Sequence, residues 1–161
     1  MFKTSNDFLV GRKPVPTPAG IETIHQRFDL FLAAADLTLN NIGNIGILPA
    51  GCIPVGLIVD SDKLDNGTAL DFSIGISNAS VVDNVQGDTP TDISALPKDG
   101  GAAWGTGVVV SRAGGQVAVF SKALARVQPV DYDRYVVLKA TAAAATAAPG
   151  EIGVTLAYRA A

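Results

Sequence analysis

The stretch from Leu48 to Ile76 constrains the fold more than any other part of this sequence. In its second half, apolar residues alternate strictly with small or polar ones, and Leu70, Phe72, Ile74 and Ile76 share one face. This two-residue period is typical of a β-strand with one buried face. An apolar strand and an Asp-rich corner precede it, so the stretch predicts a β-hairpin whose apolar face must be covered by another layer.

The first strand of this hairpin follows a turn at Pro49-Ala50-Gly51. Pro54 lies within the strand and lacks the amide hydrogen that a sheet ladder requires, which predicts an edge strand or a bulge at this point. Four apolar residues are predicted to share one face of the strand: Ile53, Val55, Leu57 and Val59.

Further strands are predicted on both sides of the hairpin. Residues 21–32 alternate in the same way, although a helix remains open because Phe28, Phe31 and Leu32 also match helical spacing. Residues 40–46, rich in Asn and Gly, predict a loop. Later strands are predicted at residues 116–120, 134–140 and 152–158.

Other segments are ambiguous. Residues 77–101 show the least periodicity, and residues 104–115 fit a strand as well as a helix end with a glycine cap. Residues 121–127 fit a helical turn or an extended link, and the alanine run at residues 142–148 fits a helix or an extended crossover. The sum is about six to eight strands with short turns, which predicts an all-β fold: an antiparallel β-sandwich or jelly roll.

The first twenty residues form a Pro-rich segment that we expect to be an extended N-terminal arm, followed by a single β-sandwich domain at residues 21–161. Three prolines at alternating positions bias the backbone toward extended conformations. The arm is either a loose tail or lies on another surface, where four apolar residues could be buried: Phe2, Phe8, Leu9 and Val10.

Charge and composition exclude several classes of protein. The chain has 161 residues and a net charge of −3, and its basic residues are scattered, so no affinity for nucleic acid is expected. No apolar run reaches the length of a membrane span, so no membrane partner is expected. A single cysteine, Cys52, excludes an intrachain disulfide; it is expected to be a small buried residue.

The sequence contains few candidate catalytic residues. His25 is the only histidine, and no G-x-S-x-G motif accompanies it. The corner from Asp60 to Gly67 is rich in oxygen ligands, but Leu64 and Asp65 occupy the fifth and sixth positions of an EF-hand template, where a ligand and a glycine are required. We therefore predict no catalytic residue, no metal and no cofactor, and a binding or structural module in place of an enzyme.

The sequence resembles the small head decoration, or cement, proteins of tailed bacteriophages. The resemblance is carried by Leu48–Gly51 and the apolar strand after it, Asp60–Asp65 and the alternating strand, Ala113–Gly115, and Pro149–Tyr158. It implies a β-sandwich subunit that associates with itself as a dimer or trimer. It also implies a place on the outer surface of the virion capsid, where the subunit binds the major capsid protein and bridges its copies, after synthesis in the host cytoplasm.

On this interpretation, the apolar residues of the arm would be anchors on the capsid, and Arg12 and Lys13 would pair with an acidic capsid surface. Two alternatives stay open. One is another virion part, such as a fibre, tail or minor head protein. The other is a carbohydrate-binding sandwich, in which Trp104, Tyr132 and Tyr135 would form an exposed contact platform.

Overall fold

The computed structural model describes residues 2, 4–80 and 104–161, with the backbone alone at residues 78–80. The described part contains eight strands, one short α-helix, α1 (Lys122–Ala125), and two 3-10 helices, Ala34–Asp36 and Val110–Arg112. The strands are β1 (Thr23–Leu32), β2 (Ile42–Leu48), β3 (Cys52–Ser61), β4 (Asp71–Ser80), β5 (Gly105–Val108), β6 (Gly115–Val119), β7 (Arg134–Ala142) and β8 (Gly150–Ala160).

The strands form two antiparallel sheets of four strands each. Sheet A has the order β1-β8-β3-β6, and sheet B has the order β2-β7-β4-β5. Strands from the two ends of the chain pair with each other, β1 with β8 and β2 with β7, and strands from the middle of the chain pair as β3 with β6 and β4 with β5. This is the strand arrangement of a jelly roll, so the predicted all-β sandwich is confirmed.

The predicted hairpin is wrong in its pairing, although both of its strands exist. β3 pairs with β6 and β8 in sheet A, whereas β4 pairs with β5 and β7 in sheet B. The corner between them, residues 62–70, therefore crosses from one sheet to the other. The predicted alternating residues do face the core, because Leu70, just before β4, is buried, as are Phe72, Ile74 and Ile76 within it, all at most 2% exposed. A hairpin and a crossing bury the same face, so the alternation cannot distinguish them.

The bulge predicted at Pro54 is present, since the register of β3 against β8 shifts between Pro54 and Gly56. β3 is nevertheless an inner strand with neighbours on both sides. Leu57 and Val59 lie in the core, but Val55 is 43% exposed. The bulge interrupts the alternation, so the predicted common face holds only beyond it.

β1 confirms the strand interpretation of residues 21–32, and the helical alternative is wrong. Phe28, Leu30 and Leu32 point into the core and are at most 1% exposed. The residues that alternate with them along β1, Arg27, Asp29 and Phe31, are exposed on the outer face.

The loop predicted at residues 40–46 is wrong, because β2 begins at Ile42. Its glycines allow aromatic rings to approach the strand. A Cβ at Gly43 would lie 2.5 Å from Cδ2 of Phe2, and one at Gly46 would lie 2.6 Å from Cδ2 of Phe28. Glycine in this strand thus marks a close approach of side chains and not a loop.

The ambiguous segments divide between the alternatives. Residues 104–115 contain both a strand, β5, and a 3-10 helix that is followed by Gly114 at φ +78°. Residues 121–127 form the turn of α1, capped by the Ser121 side chain, which accepts a hydrogen bond from the Leu124 N–H. The alanine run after β7 is not helical. The aperiodic segment continues β4 to residue 80, and its residues 81–101 lie outside the described part of the chain.

Candidate functional site

The N-terminal segment lies along the side of the sandwich where β1 and β2 are the edge strands. The Nδ2 group of Asn6 donates to the carbonyl oxygen of Asp29 on β1, at 2.9 Å, and to that of Ile45 on β2, at 2.8 Å. The Thr4 hydroxyl donates to the Phe31 carbonyl oxygen. Residues 4–6 therefore join the free edges of the two sheets.

Two aromatic residues of this segment are used by the protein's own core. Phe2 is 4% exposed, and its N–H donates to the Ile42 carbonyl oxygen at 2.9 Å. The Phe8 ring packs edge-on against Phe28, with ring centroids 5.0 Å apart and an interplanar angle of 78°. The Phe2 ring is thus buried against its own chain, and contact of these residues with the capsid stays a prediction.

The next residues cover part of the outer face of sheet B. Leu9 and Val15 pack on a small cluster of Ile47, Tyr135 and Val137. Val10 is half-buried and donates its N–H to the Asn6 carbonyl oxygen at 3.2 Å. The Tyr158 hydroxyl donates to the Pro16 carbonyl oxygen at 2.6 Å. The segment is thus held to the sandwich as far as residue 16, and its role as a separate arm stays a prediction.

Arg12 and Lys13 are the exposed part of the predicted arm contact. Their side chains are 78% and 61% exposed, and each lies near Asp7, at 3.7 Å and 3.6 Å. Lys13 Nζ also lies 5.7 Å from the centroid of the Phe8 ring. Exposed ion pairs of this kind hold the side chains weakly, so both cations remain accessible to an external partner.

The three aromatic residues predicted as an exposed platform do not form one surface. Trp104 is 1% exposed and belongs to the main core, whereas Tyr135 is 7% exposed and belongs to the small cluster on the outer face of sheet B. Tyr132 is half-buried. The burial of Trp104 and Tyr135 gives no support to a stacking platform, and any contact of the three with a partner stays a prediction.

The Asp-rich corner contains a buried carboxylate that is bound by backbone N–H groups. Asp65 is fully buried and accepts hydrogen bonds from five backbone N–H groups. The donors are Gly67 at 2.8 Å, Ala69 at 2.9 Å, Leu70 at 2.9 Å, Ala145 at 3.2 Å and Thr146 at 2.8 Å. Burial opposes the charged carboxylate, but these hydrogen bonds outweigh it and lower the pKa of Asp65. The carboxylate ties the crossing after β3 to the segment after β7, which is a structural role.

A charged cluster that the sequence did not predict lies on the outer face of sheet A. Arg27 Nη2 contacts Asp60 at 2.6 Å and Glu151 at 2.7 Å, and Nη1 lies 3.9 Å from Asp29. The hydrogen bonds to Asp60 and Glu151 raise the pKa of Arg27. The guanidinium crosses over Gly153, where a Cβ would lie 2.5 Å from Nη2. The alternation of β1 could have indicated the polar face, but the carboxylates come from strands distant in sequence.

Other chemical groups are isolated in the part of the chain that the structure describes. His25 is exposed on β1. Cys52 is buried, and burial raises the pKa of its thiol. Residues 2, 4–80 and 104–161 contain no cluster of three or more His, Cys, Asp or Glu side chains that could hold a metal ion. None of the helices in these ranges is long and apolar enough to cross a membrane.

Known proteins are similar to this chain in fold. No protein family model and no curated protein matches the sequence. A chain in the structure of the capsid of Ralstonia phage GP4 is similar with a TM-score of 0.79 and 28% identity, over 96% of this chain and 96% of that chain. A chain in the capsid asymmetric unit of cyanophage Pam1 is similar with a TM-score of 0.60 and 17% identity, over 92% of this chain and 94% of that chain. This jelly roll is therefore shared, over nearly its whole length, with chains in two phage capsid structures.

Proposed function

We propose that this chain is a structural protein of a bacteriophage virion, specifically a head protein that decorates the outer surface of the capsid. In this role it binds the major capsid protein and bridges neighbouring copies of it. The observation that carries the proposal is the similarity to a chain in the Ralstonia phage GP4 capsid. Because nearly all of both chains is matched, the two have almost equal lengths, and nearly the whole of this chain has a counterpart in a capsid structure.

The turn and strand motifs that resemble head decoration proteins support the finer role. A protein that binds the assembled shell and not the free subunits stabilises the shell by mass action. Many copies on one lattice also act together, so a modest contact per copy is sufficient. A compact jelly roll is suited to this role because its core is complete before it meets the shell.

The N-terminal segment supports one version of the contact. Phe2 and Phe8 are already packed against the sandwich, whereas Arg12 and Lys13 are exposed at the turn that follows them. We propose that these two cations bind acidic groups on the major capsid protein. Charge pairs at the rim of an interface mainly affect the association rate and its dependence on salt.

The direct test uses purified phage heads that lack this protein. The full chain is added, unbound protein is removed by sedimentation, and the heads are compared by electron microscopy with and without it. Regular added density on the outer surface, together with a higher temperature of head disruption, is the expected result. Binding only to tails or fibres, or no binding to intact heads, would reject the decoration role.

The contact itself is tested with paired charge removals. The double variant Arg12→Ala/Lys13→Ala should weaken head binding about tenfold, with a smaller salt dependence. The matched control is Lys63→Ala/Arg126→Ala, which removes two other exposed cations and leaves the segment unchanged. Equal loss in both variants would show that overall charge, and not this turn, determines binding. Deletion of residues 1–20 is a poorer test, because it would also uncover the surface beneath Phe2.

A further inference from the structure

The Asp-rich corner contains an Asn-Gly dipeptide, a pair that is prone to spontaneous loss of the side-chain amide group. Asn66-Gly67 is the only such pair in the chain. The glycine nitrogen can attack the asparagine side chain because glycine has no Cβ to hinder the approach. Asn66 is exposed, so water reaches it. In a flexible loop this pair would react, and the packing around it therefore decides its fate in the folded protein.

The folded corner holds the peptide group between Asn66 and Gly67 from three directions. The Gly67 N–H donates to Oδ1 of Asp65 at 2.8 Å. The Asn66 N–H donates to the Thr146 carbonyl oxygen at 2.9 Å. Ala145 packs directly on Gly67, where a Cβ would lie 2.5 Å from the Cβ of Ala145. The Gly67 nitrogen must lose its proton and turn toward the Asn66 side chain to react, so its hydrogen bond to Asp65 must break first.

Asp65 is itself a base in contact with the proton that must leave. Such a carboxylate accelerates the reaction if it accepts the proton, and slows the reaction if it keeps the N–H in place. The hydrogen bonds from backbone N–H groups lower the pKa of Asp65, and a weaker base accepts a proton less readily. The same hydrogen bonds fix the carboxylate in the buried corner. Both features favour the protective effect.

We propose that Asn66 is a deamidation site that the hydrogen bond from Gly67 to Asp65 keeps unreactive in the folded protein. Opening of the corner releases the reaction. The Gly67 nitrogen then bonds to Cγ of Asn66, the bond between Cγ and Nδ2 breaks, and ammonia leaves with the proton of the Gly67 N–H. Water opens the resulting succinimide ring at either carbonyl and gives aspartate or isoaspartate.

The isoaspartate product prevents the corner from closing again in its original form. It adds a methylene group to the main chain between Asp65 and Gly67. The N–H groups of Gly67, Ala69 and Leu70, which all donate to Asp65 in the folded protein, are then displaced relative to the carboxylate. A molecule whose corner has opened and reacted is thus marked permanently.

The test measures deamidation of Asn66 in the full chain by peptide mapping and mass spectrometry. Folded protein is compared with the same protein unfolded in guanidinium chloride, at one mildly alkaline pH and one temperature. Because a hydrogen bond to a charged acceptor must break, we expect the reaction to be at least about tenfold slower in the folded protein. Asp65→Asn should accelerate it in native buffer. Asp62→Asn is the matched control, since the Asp62 carboxylate lies in the same corner but accepts from the Glu151 N–H.

A second measurement on the wild type keeps the test decisive if Asp65→Asn fails to fold. At guanidinium concentrations below the unfolding transition, deamidation of Asn66 should rise in parallel with hydrogen exchange at the Gly67 N–H, because both require the same opening. Deamidation that is as fast in the folded as in the unfolded wild type, or faster, would overturn the proposal. So would equal rates in folded Asp65→Asn and Asp62→Asn, or deamidation that does not follow hydrogen exchange. None of these outcomes depends on whether the chain binds phage heads.

Discussion

Replacing Asp65 by asparagine should strongly destabilise the folded state of this protein. The two carboxylate oxygens divide five backbone donors between them. Oδ1 accepts from Gly67 and Thr146, and Oδ2 accepts from Ala69, Leu70 and Ala145. These donors belong to two segments that are about eighty residues apart in sequence. The substitution therefore tests whether one buried carboxylate holds the crossing between the sheets.

The expected magnitude follows from the hydrogen bonds. Asparagine keeps one acceptor oxygen and places an NH2 group where the other oxygen stood. In either orientation, at least two of the five N–H groups would face a donor. An unsatisfied buried donor costs about 1–3 kcal/mol, so the free energy of unfolding should fall by about 2–6 kcal/mol. This is a large part of the roughly 5–15 kcal/mol that stabilises a typical domain.

The effect should also depend on pH. The pKa of Asp65 is lowered in the folded state, so the unfolded chain takes up the proton first as the pH falls. The stability contributed by the carboxylate is therefore complete above about pH 4, the unfolded pKa, and is lost toward lower pH. Asparagine has no charge to lose. The difference between wild type and variant should therefore shrink progressively as the pH falls below about 4.

Urea denaturation at several pH values, followed by circular dichroism, measures both effects. Asp131→Asn is the matched control, because Asp131 is exposed and the same chemical change there should alter stability by no more than about 0.5 kcal/mol. If Asp65→Asn were as stable as the control at neutral pH, the structural role assigned to the carboxylate would be refuted. A difference from wild type that stayed constant with pH would refute the electrostatic part of the reasoning.

Three further predictions concern the N-terminal segment, sheet A and the core. Phe2→Ala should lower the free energy of unfolding by about 1.5–3 kcal/mol, because the ring is buried; an unchanged urea midpoint would contradict that packing. Gly153→Ala should displace the guanidinium of Arg27, since a Cβ would lie 2.5 Å from Nη2. The free energy of unfolding should fall by about 1 kcal/mol, and the decrease should be smaller in high salt. Equal stability of variant and wild type at low salt would contradict this prediction. Burial, and to a smaller extent the nearby Cys52, raise the pKa of Tyr158 to about 12. Ultraviolet absorbance is titrated for wild type and Tyr158→Phe, and the difference between the two curves should show no tyrosine ionisation near pH 10 while the protein remains folded.

The packing of the N-terminal segment follows from the tertiary structure and not from any local sequence pattern. Its prolines and apolar residues predict either a loose tail or an arm that lies on another surface. The structure places Phe2 over Gly43 and Phe8 against Phe28. Only the folded sheets create these receiving surfaces, so no local pattern could reveal them. The same limit applies to Trp104, whose burial depends on strands remote in sequence.

The sequence alone determined the class of this protein, because alternating apolar residues define which face of each strand is buried, and short aliphatic strands with frequent turns can bury those faces only in a layered β fold. The tertiary structure alone decided which strands are neighbours. β3 and β4 follow each other in the chain yet lie in opposite sheets, because a buried face specifies burial and not the identity of the neighbouring strand. The corner that separates them is stabilised by backbone donors that only the folded chain brings to Asp65.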